Sequence, residues 1–502
     1  MGKLINIPRL VIAAPQGRSG KTTISVGLMA ALTAMGLKVQ PFKKGPDYID
    51  PSWLTLVTGR QCCNLDSFMM GKEALTNSFF KYAGCADIGV VEGAMGLFDG
   101  VDLEGSGSTA EVAKAIKAPV ILVVDATRIT RSVAAVVMGF QHFDRDLNIA
   151  GVILNKVARP RHESMLRASI EKYCGIKVLG AMPKDSGFNI PNRHLGLIPA
   201  NETESLHSVI EAIREAVVCH VDMDKLIDVA KSAPPVSFDR EELTLTQPNP
   251  GSKVYELQSG KDKPVIGIFN DRCFAFYYRE NMEALAEAGA KLLTIDSIND
   301  PVLPDVDALY IGGGFPEVFA ADLEKNQSLR VMLRKKIEEG LPVYAECGGL
   351  MYLGRSLIWH DQVYQMCGAL PFDVIMSDKP QGHGYVELEV IRENPYFNIS
   401  EVIRGHEFHN SRLINLEHDK VEFAYRVKRG CGIGDGMDGL VYKNVMAGYS
   451  HLHAVSVPQW AGNLVVQAEN YKSSKIDTRL ERDKNYKGSD YKEQWANYSI
   501  SI

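Results

Sequence analysis

The chain has 502 residues, too many for one hydrophobic core and enough for two domains of ordinary size. Hydrophobic residues make up 45% and charged residues 23% of it, as in globular proteins. The formal charge of -6 argues against a nucleic-acid partner, which favours a basic face. No uncharged apolar run is long enough to span a bilayer, so we expect no membrane partner either.

Cysteine usage and the N-terminal residues bear on the compartment. The nine cysteines are an odd number without a repeating spacing, which predicts neither a disulfide framework nor a zinc site. The first residues, MGKLINIPRL, lack the apolar region and cleavage site of a signal peptide. A cytoplasmic location is therefore expected, with most cysteines acting as small core residues.

The first half of the chain alternates short apolar runs with segments of helix length. The runs are rich in Val and Ile, and in chain order they are LVIAAP, KVQPFK, IGVVEG, VILVVD, AGVILNKV and IKVLGAMP. Near-continuous apolar strands with helices between them are typical of βαβ units that build a parallel sheet covered on both faces. The fold class predicted for residues 1–230 is therefore α/β.

A Gly-rich loop lies between the first of these runs and the helical pattern ISVGLMAALTAMG; its residues are Gly17, Arg18, Ser19, Gly20, Lys21, Thr22 and Thr23. The glycines let backbone N–H groups face phosphate oxygens, and the following helix adds its positive N-terminal end. Lys21 is expected to reach the terminal phosphates of ATP, and the Thr22 hydroxyl to ligate magnesium. Because Pro15 replaces the usual first glycine, the loop is interpreted as a deviant P-loop; a Gly-rich turn before an ordinary helix is the alternative.

The next predicted strand leads into a charged loop, QPFKKGPDYIDP, which its Gly-Pro and Asp-Pro steps make rigid. Lys43 is predicted to stabilise a transferring phosphoryl group, and Asp47 to share the magnesium ion with Thr22. Glu92 ends the run IGVVE, where a carboxylate that orders a metal belongs in such folds. A solvated charged loop and a plain strand-end residue are the alternatives.

The alternation of predicted strands and helices stops after the first domain. Residues 231–263 are rich in Pro, Ser and charge, and we predict that they link the domain of residues 1–230 to a second domain of residues 264–465. The alternation of strands and helices resumes at VIGIFND. The later runs YVELEVI and VEFAYRV are predicted to be antiparallel strands. Residues 466–502 turn polar and are predicted to be a C-terminal extension.

The second half contains a strand, a cysteine and a helical pattern in LPVYAECGGLMYLG. This order resembles a nucleophile elbow, in which small neighbours permit the turn that presents Cys347. The helix N-terminus is expected to lower the pKa of the thiol and favour the thiolate. Upstream, the strand ALYI is followed by glycines, and Gly313 and Gly314 are predicted to form an oxyanion hole with Gly348. A buried structural cysteine is the alternative.

Two stretches offer a histidine as general base for this cysteine. RGHEFHNS contains His406 and His409, and GYSHLHAV contains His451 and His453. In cysteine-dependent amidotransferases the base follows the last strands, which favours the second stretch.

Together, these residues resemble the cobyrinate a,c-diamide synthase family, the glutamine-dependent tetrapyrrole amidases. The resemblance covers about residues 8–465 and rests on SGKTT, VQPFKKGPDYIDP, NLDSFM, VVEGAMGLFDG, GSTAEVAK, GVILNKV, RHLGLIPA, IGGGFPE, YAECGGLMYL, RGHEFHNS and GYSHLH. It implies an N-terminal P-loop domain like that of dethiobiotin synthetase. It also implies a C-terminal class I glutamine amidotransferase domain with a flavodoxin-like fold.

The resemblance also implies residue roles. The P-loop would hold the phosphates of ATP, and Asn155 falls where related ATPases contact adenine. Cys347 matches the glutaminase nucleophile and His451 its activating base. The usual amidotransferase pattern is His-x-Glu, whereas this chain has His451-Leu-His453. The glutamate that orients the histidine is therefore missing from its usual place, as it is in related amidases.

The implied reaction is the ATP- and glutamine-dependent amidation of the a and c acetate groups of a corrinoid or sirohydrochlorin-type tetrapyrrole, with Mg2+. Cys347 would release ammonia from glutamine through a thioester, while ATP would convert a carboxylate into an acyl phosphate. Asp50 and Asp99 are the candidate contacts to the tetrapyrrole, and a homo-oligomer is a possible assembly.

Two alternatives stay open at this point. The first concerns the acceptor, which in close relatives of the family is sirohydrochlorin, its nickel form or a sirohaem-type compound. The second is a non-enzymatic function, in which the protein is a deviant P-loop ATPase that acts as a switch and keeps an inactive amidotransferase domain. That class usually has a lysine where Gln16 stands, and it would leave Cys347 and His451 without use.

Overall fold

The structure is a computed structural model that describes residues 3–184, 188, 190, 192–193, 196–197, 206–238 and 263–475. The chain divides into two compact units between residues 247 and 248, with Tyr278–Glu280 belonging to the first unit. No helix within these described ranges is both long and apolar enough to cross a bilayer.

The first unit contains eleven strands and eight helices within its described residues. The strands are β1 Lys3–Ile5, β2 Arg9–Ala13, β3 Val39–Lys44, β4 Cys63–Leu65, β5 Ile88–Glu92, β6 Val120–Asp125, β7 Ile149–Val157, β8 Val178–Pro183, β9 Asn192–Arg193, β10 Gly196–Leu197 and β11 Val236–Phe238. The helices are α1 Lys21–Ala34, α2 Ile49–Thr58, α3 Ser67–Ala83, α4 Thr109–Ala115, α5 Val133–Phe143, α6 Pro160–Cys174, α7 Leu206–His220 and α8 Met223–Lys231.

Seven of these strands form a parallel sheet in the order β4-β3-β5-β2-β6-β7-β8. Strands β2, β3 and β5 are buried along their whole length, as expected for parallel strands covered on both faces. The predicted α/β class of this domain is confirmed. Because α1 follows the central strand β2, the loop between them opens at the carboxyl edge of the sheet, where α/β proteins bind ligands.

Helix α1 lies close against α7. A Cβ at Gly27 would come within 2.5 Å of Val217 Cγ2 and 2.8 Å of Ile213 Cγ2, so only glycine permits this approach. Ile24 and Leu28 of α1 join the same apolar core. This packing fixes the start of α1 relative to the sheet.

The first unit continues past residue 230, where sequence analysis ended it. Strand β11 pairs antiparallel with β1. Arg9 is fully buried, and its guanidinium donates a hydrogen bond to the carbonyl of Pro234 at 2.5 Å. The beginning of the predicted linker 231–263 is therefore part of the domain. The rest of that linker, residues 239–262, lies outside the described residues.

The second unit contains a further set of fifteen strands in its described part. They are β12 Val265–Phe269, β13 Phe274–Phe276, β14 Lys291–Ile295, β15 Ala308–Ile311, β16 Gly313–Gly314, β17 Val343–Glu346, β18 Ser356–Trp359, β19 Gln362–Gln365, β20 Asp373–Met376, β21 Gly382–Val390, β22 Val402–His409, β23 Ser411–Ile414, β24 Glu422–Arg429, β25 Met437–Tyr442 and β26 Val445–Gly448. The helices are α9 Arg279–Glu287, α10 Ala320–Lys325, α11 Gln327–Glu338, α12 Gly348–Leu353 and a last one over 459–475.

A nine-stranded sheet organises this unit, in the order β14-β12-β15-β17-β26-β25-β24-β21-β22. The strands from β14 to β26 are parallel. From β26 to β22 the pairing is antiparallel, which confirms the prediction for the later strands. The predicted amidotransferase class of this domain is also confirmed. Strands β15, β17 and β26 are neighbours, so the loops that follow them leave the sheet at one edge.

The helix over 459–475 crosses residue 466, where the polar extension was predicted to begin. Leu464, Val465 and Ala468 are fully buried in a core that also contains Trp460. Lys475 pairs with the carboxylate of Asp307 at 2.8 Å. Residues up to 475 therefore belong to the amidotransferase unit, and residues 476–502 lie outside the described residues.

This assignment predicts that Ala468→Asp destabilises the second unit. A carboxylate at this fully buried position has to lose its hydration, so we expect the free energy of unfolding to fall by about 3 kcal/mol or more. The matched control is Asn470→Asp, an exposed position of the same helix, which should stay within about 0.5 kcal/mol of the parent chain. Urea unfolding followed by circular dichroism measures both, and equal stability of the two variants would contradict the assignment.

Candidate active site

The loop between β2 and α1 depends on two residues with positive φ. Arg18 has φ 58°, and Gly20, which caps α1, has φ 90°. A Cβ at Gly20 would lie 2.1 Å from Nδ2 of Asn155, so both the backbone angle and the space require glycine. That amide nitrogen donates to the carbonyl of Ser19 at 2.9 Å, while Oδ1 accepts from the N–H of Lys156. Asn155 therefore braces the loop directly, and its contact with adenine stays a prediction.

Lys21 lies across the loop that it begins. Its ammonium donates to the carbonyl of Met95 at 2.5 Å and to that of Gln16 at 3.3 Å. Burial lowers the pKa of Lys21 to about 8, and the nearby charge of Lys43 adds to this effect. A phosphate in the loop would offer this cation a better partner than neutral carbonyls do.

Thr22 lies beside two carboxylates. Its hydroxyl donates to Oε1 of Glu92 at 2.6 Å and lies 3.3 Å from Oδ2 of Asp50. Lys43 joins the same group, with its ammonium 2.5 Å from Asp50 and 3.1 Å from Glu92. Lys43 and Glu92 are register partners on β3 and β5, which explains how these distant positions meet.

Burial governs the protonation of this group. It raises the pKa of Glu92 to about 7, against the opposing effect of Lys43. Burial also acts to lower the pKa of Lys43, but the negative charges of Asp50 and Glu92 outweigh it and raise that pKa. Lys43 is therefore held as a cation, and Glu92 is stabilised as a carboxylate only through its contacts.

Asp47 lies just before α2, and its share in a magnesium site stays a prediction. Its Oδ1 accepts hydrogen bonds from the backbone N–H groups of Ile49 and Asp50 at the start of α2. Its Oδ2 lies 3.7 Å from the ammonium of Lys43. Burial and the charge of Asp50 raise the pKa of Asp47 to about 6. Asp50, predicted as a contact to the tetrapyrrole, is the aspartate whose carboxylate approaches Thr22.

The acidic residues near Thr22 offer oxygen ligands for a magnesium ion. No cluster of three or more His, Cys, Asp and Glu suited to a metal occurs among the described residues. Within that part of the chain, Oε2 of Glu92 is buried and has no hydrogen-bond partner. This oxygen, the Thr22 hydroxyl and the Asp50 carboxylate are hard oxygen ligands of the kind that Mg2+ takes, usually with several waters. The three residues fit a magnesium ion on these grounds.

Asp99 lies in the loop that follows β5. Its carboxylate accepts a hydrogen bond from the N–H of Gly96 at 2.7 Å and closes a tight turn there. A Cβ at Gly96 would lie 2.6 Å from this carboxylate. The contact to a tetrapyrrole stays a prediction for Asp99.

Cys347 stands at a sharp turn between β17 and α12. Its backbone has φ 48° and ψ -99°, a strained conformation that costs on the order of 1–3 kcal/mol. The N–H of Cys347 donates to the carbonyl of Gly448 at 2.7 Å. A Cβ at Gly349 would lie 2.4 Å from the carbonyl oxygen of Ile311, so the turn requires a glycine there. This geometry is that of the predicted nucleophile elbow.

The thiol of Cys347 does not have the low pKa that sequence analysis expected. It is 5% exposed, and burial raises its pKa well above the usual range, with the charge of Glu317 adding to the increase. The N–H of Gly348 opposes the rise without overcoming it. The expected direction is reversed because the loss of hydration on burial outweighs the N–H of Gly348. The thiol therefore needs a base to become a nucleophile.

His451 follows β26 at the same edge of the sheet. Glu346 and Gly448 are register partners on β17 and β26, so Cys347 and His451 lie just beyond neighbouring strand ends. His451 and His406 exchange backbone hydrogen bonds at 2.8 and 3.2 Å, and their rings stack with centroids 4.8 Å apart.

The predicted oxyanion-hole glycines lie at this edge too. A Cβ at Gly313 would come within 2.5 Å of Cε1 of His451, and a Cβ at Gly348 would come within 3.0 Å of the nitrogen of Gly314. The structure thus brings the glycine loop, the elbow and His451 together. Stabilisation of an oxyanion by these N–H groups stays a prediction.

The other two candidate histidines have structural contacts. The ring of His409 stacks on Tyr449 at 3.6 Å, and its Nδ1 contacts the carbonyl of Ser411 at 2.8 Å. His453 is fully buried, and its Nδ1 accepts from the N–H of Val455 at 3.2 Å. These contacts favour His451 as the base.

Known protein families match the chain in the two parts that the structure separates. Residues 10–198 match the CobQ/CobB/MinD/ParA nucleotide binding domain, and residues 265–458 match the CobB/CobQ-like glutamine amidotransferase domain. The cobyrinate a,c-diamide synthase of Magnetococcus marinus is 45% identical over 456 residues, which cover 91% of this chain and 96% of that protein. The cobyrinate a,c-diamide synthase of Archaeoglobus fulgidus is 42% identical over 466 residues, 92% of this chain and 98% of that protein.

The loop geometry predicts that Gly20→Ala weakens nucleotide binding. The added methyl group meets the amide of Asn155 and has to displace the loop, so affinity for ATP should fall about tenfold or more. Gly36→Ala is the matched control, because Gly36 has φ +87° at the other end of α1 and nothing within 4 Å of its added Cβ. Calorimetric titration with a non-hydrolysable ATP analogue measures both variants. Equal affinities would refute this role of Gly20.

Proposed function

The chain belongs to the cobyrinate a,c-diamide synthase family, and from this premise we propose that it converts two acetate groups of a tetrapyrrole into amides with ATP and glutamine. The observation that carries the proposal is that the family match extends through both units. A nucleotide site and a cysteine elbow therefore occur in one chain, as a glutamine-dependent ligase requires.

The cysteine elbow is suited to releasing ammonia from glutamine. The Cys347 thiol transfers its proton to His451 as its sulfur attacks the side-chain amide carbon, and the oxyanion is stabilised by N–H groups of the glycine loop. His451 then gives the proton to the leaving nitrogen, so ammonia departs and a thioester remains. Water hydrolyses the thioester to glutamate and restores the thiol. Burial raises the pKa of the thiol, which favours a mechanism in which a base accepts the thiol proton.

The nucleotide site is suited to activating the acceptor. A free carboxylate is too poor an electrophile for ammonia, so an acetate oxygen takes the γ-phosphoryl group of ATP and ADP leaves. Ammonia then attacks the acyl carbon, phosphate departs, and the amide forms. Lys21 and Lys43 are placed to offset the negative charge that develops on the transferring group.

Thr22, Glu92 and Asp50 are the residues that would hold magnesium in this site. When bound, the ion would offset the negative charge of the phosphates. Asp50 replaces Asp47 in this proposed set because Oδ2 of Asp50 lies within hydrogen-bonding distance of the Thr22 hydroxyl. Asp47 instead orders the start of α2 and keeps its charge near Lys43.

We propose cobyrinate as the acceptor, because the similar proteins are named cobyrinate a,c-diamide synthases. Sirohydrochlorin, with or without nickel, is the second candidate. The decisive experiment offers cobyrinate and sirohydrochlorin side by side with ATP and glutamine, and identifies products by mass spectrometry. Faster conversion of cobyrinate to a diamide, through a monoamide, is the expected result. Amides on propionate groups, or preferred conversion of sirohydrochlorin, would overturn the choice of acceptor.

The two-site reaction predicts opposite behaviour for two variants. Cys347→Ala should abolish synthesis from glutamine and retain synthesis from ammonium salts, because external ammonia replaces the product of the elbow. Lys21→Ala is the control and should lose both activities, because both need the acyl phosphate. His451→Ala should lose glutamine-dependent synthesis almost as completely as Cys347→Ala, because burial keeps the thiol protonated.

Product formation is measured with each nitrogen source. Loss of ammonia-dependent synthesis in folded Cys347→Ala would contradict the division of labour. Retention of that synthesis in Lys21→Ala would remove the loop from the chemical step. His453→Ala should be affected less than His451→Ala, and the reverse order would exchange the two roles.

A further inference from the structure

Glu346 is the buried residue immediately before the elbow cysteine, at the end of β17. It is 1% exposed. Its Oε1 accepts a hydrogen bond from the N–H of Leu452 at 3.0 Å, and its Oε2 accepts one from the Tyr310 hydroxyl at 3.0 Å. A buried carboxylate with two neutral donors is still costly, because loss of hydration exceeds what such bonds return.

The third neighbour of this carboxylate is the base itself. Oε2 of Glu346 lies 3.5 Å from Nδ1 of His451, whose side chain is 2% exposed. The Cε1–Nε2 edge of the imidazole faces the glycine loop, since these two atoms are 2.5 and 3.3 Å from where a Cβ on Gly313 would lie. The ring is therefore enclosed between a carboxylate at Nδ1 and the loop of the predicted oxyanion hole.

The place that usually supplies an orienting carboxylate is occupied by another residue. His453 stands at the glutamate position of the His-x-Glu pattern, and its ring nitrogen accepts a hydrogen bond from the N–H of Val455. A general base of this kind needs a carboxylate that fixes one tautomer and stabilises the imidazolium formed in the reaction. Among the described residues, Glu346 is the carboxylate within ion-pair distance of Nδ1 of His451.

We infer that Glu346 is the positioning residue of the glutaminase site, and that its carboxylate holds the Nδ1 proton of His451 so that Nε2 accepts the thiol proton. The inference rests on the proposed role of His451 as base. In this inference Glu346, at the end of β17, takes the role that the glutamate of the His-x-Glu pattern has in other amidotransferases.

The surroundings of Glu346 are built to keep it in place. Asn281 donates to the Tyr310 hydroxyl at 3.2 Å and to the carbonyl of Leu452 at 2.9 Å, and accepts from the N–H of Ala454 at 2.7 Å. The segment that carries His451 is thus tied to β15 and β17 by the same network that fixes the carboxylate.

Asp438 supports that segment from the other side. It accepts from the N–H groups of Tyr449 and Ser450 at 3.1 Å each. Asp438 also accepts from the Ser450 hydroxyl, so its contacts are to Tyr449 and Ser450, whereas Glu346 approaches the imidazole of His451. Glu346 is therefore the carboxylate that can select the tautomer.

The test is the steady-state hydrolysis of glutamine by Glu346→Gln in the full chain. A glutamine has one oxygen and one NH2 group, so it places a donor against either the N–H of Leu452 or the Tyr310 hydroxyl and His451. We expect kcat to fall about 100-fold or more while KM for glutamine changes less than about threefold. Glu346→Asp keeps the charge and should recover part of this loss.

Asp307→Asn is the matched control, since Asp307 is also a buried carboxylate but lies before β15, at the opposite end of the parallel strands. It should leave kcat for glutamine hydrolysis near that of the parent chain. Should Glu346→Gln fail to fold, Tyr310→Phe removes one donor to the same carboxylate and should lower kcat about two- to tenfold. Thermal unfolding of every variant accompanies the kinetics.

The outcomes separate this inference from the proposed function. Unchanged kcat in Glu346→Gln, or in Tyr310→Phe if that variant has to serve, overturns the role of Glu346 and leaves the proposed function intact when Cys347→Ala is inactive with glutamine. A loss that Glu346→Asp does not recover, with KM and thermal stability changed alike, also overturns it and assigns a structural role. Glutamine hydrolysis that survives Cys347→Ala contradicts the proposed function itself.

Discussion

Burial of ionisable groups at the carboxyl ends of parallel strands is the constraint on which both sites depend. In the first unit Lys43 is 3% exposed and is stabilised as a cation by Asp50 and Glu92. In the second unit the thiol of Cys347 and the carboxylate of Glu346 are buried side by side at the end of β17. Low exposure makes each charge costly unless it is paired, so each site exists only as a set of mutual contacts.

This constraint has opposite consequences for the two units. In the nucleotide site, opposite charges lie together and pairing offsets the loss of hydration, so the cation persists. In the glutaminase site, the carboxylates around Cys347 oppose a thiolate, and burial opposes it further. Both effects raise the pKa of the thiol. In the proposed mechanism, formation of the nucleophile therefore depends on the position of His451 and on the residue that orients its ring.

Sequence patterns predicted the sheets, the P-loop and the elbow because strand ends and glycine turns are local features. The choice between Asp47 and Asp50 as the proposed magnesium ligand is not local: Asp47 precedes α2 and Asp50 lies in its first turn, and Asp50 is favoured by its approach to Thr22 and Lys43. The pKa of Cys347 was expected to be low because the helix start is visible in sequence, whereas the burial that raises it is not. The prediction ended the second domain at residue 465 because the exposed face of the helix over 459–475 is polar. The burial of Ala468 on the same helix cannot be read from that pattern.

The histidine motif shows why a missing residue in a pattern need not mean a missing function. In the usual arrangement the carboxylate lies two residues after the histidine, on the same loop. Here the loop position belongs to His453, while Glu346 comes from the neighbouring parallel strand and places Oε2 3.5 Å from Nδ1 of His451. What the chemistry requires is a negative charge at that nitrogen, held rigidly and away from water. A neighbouring strand end meets this requirement as well as a neighbouring residue does, so the departure from His-x-Glu gives no support to an inactive amidotransferase domain.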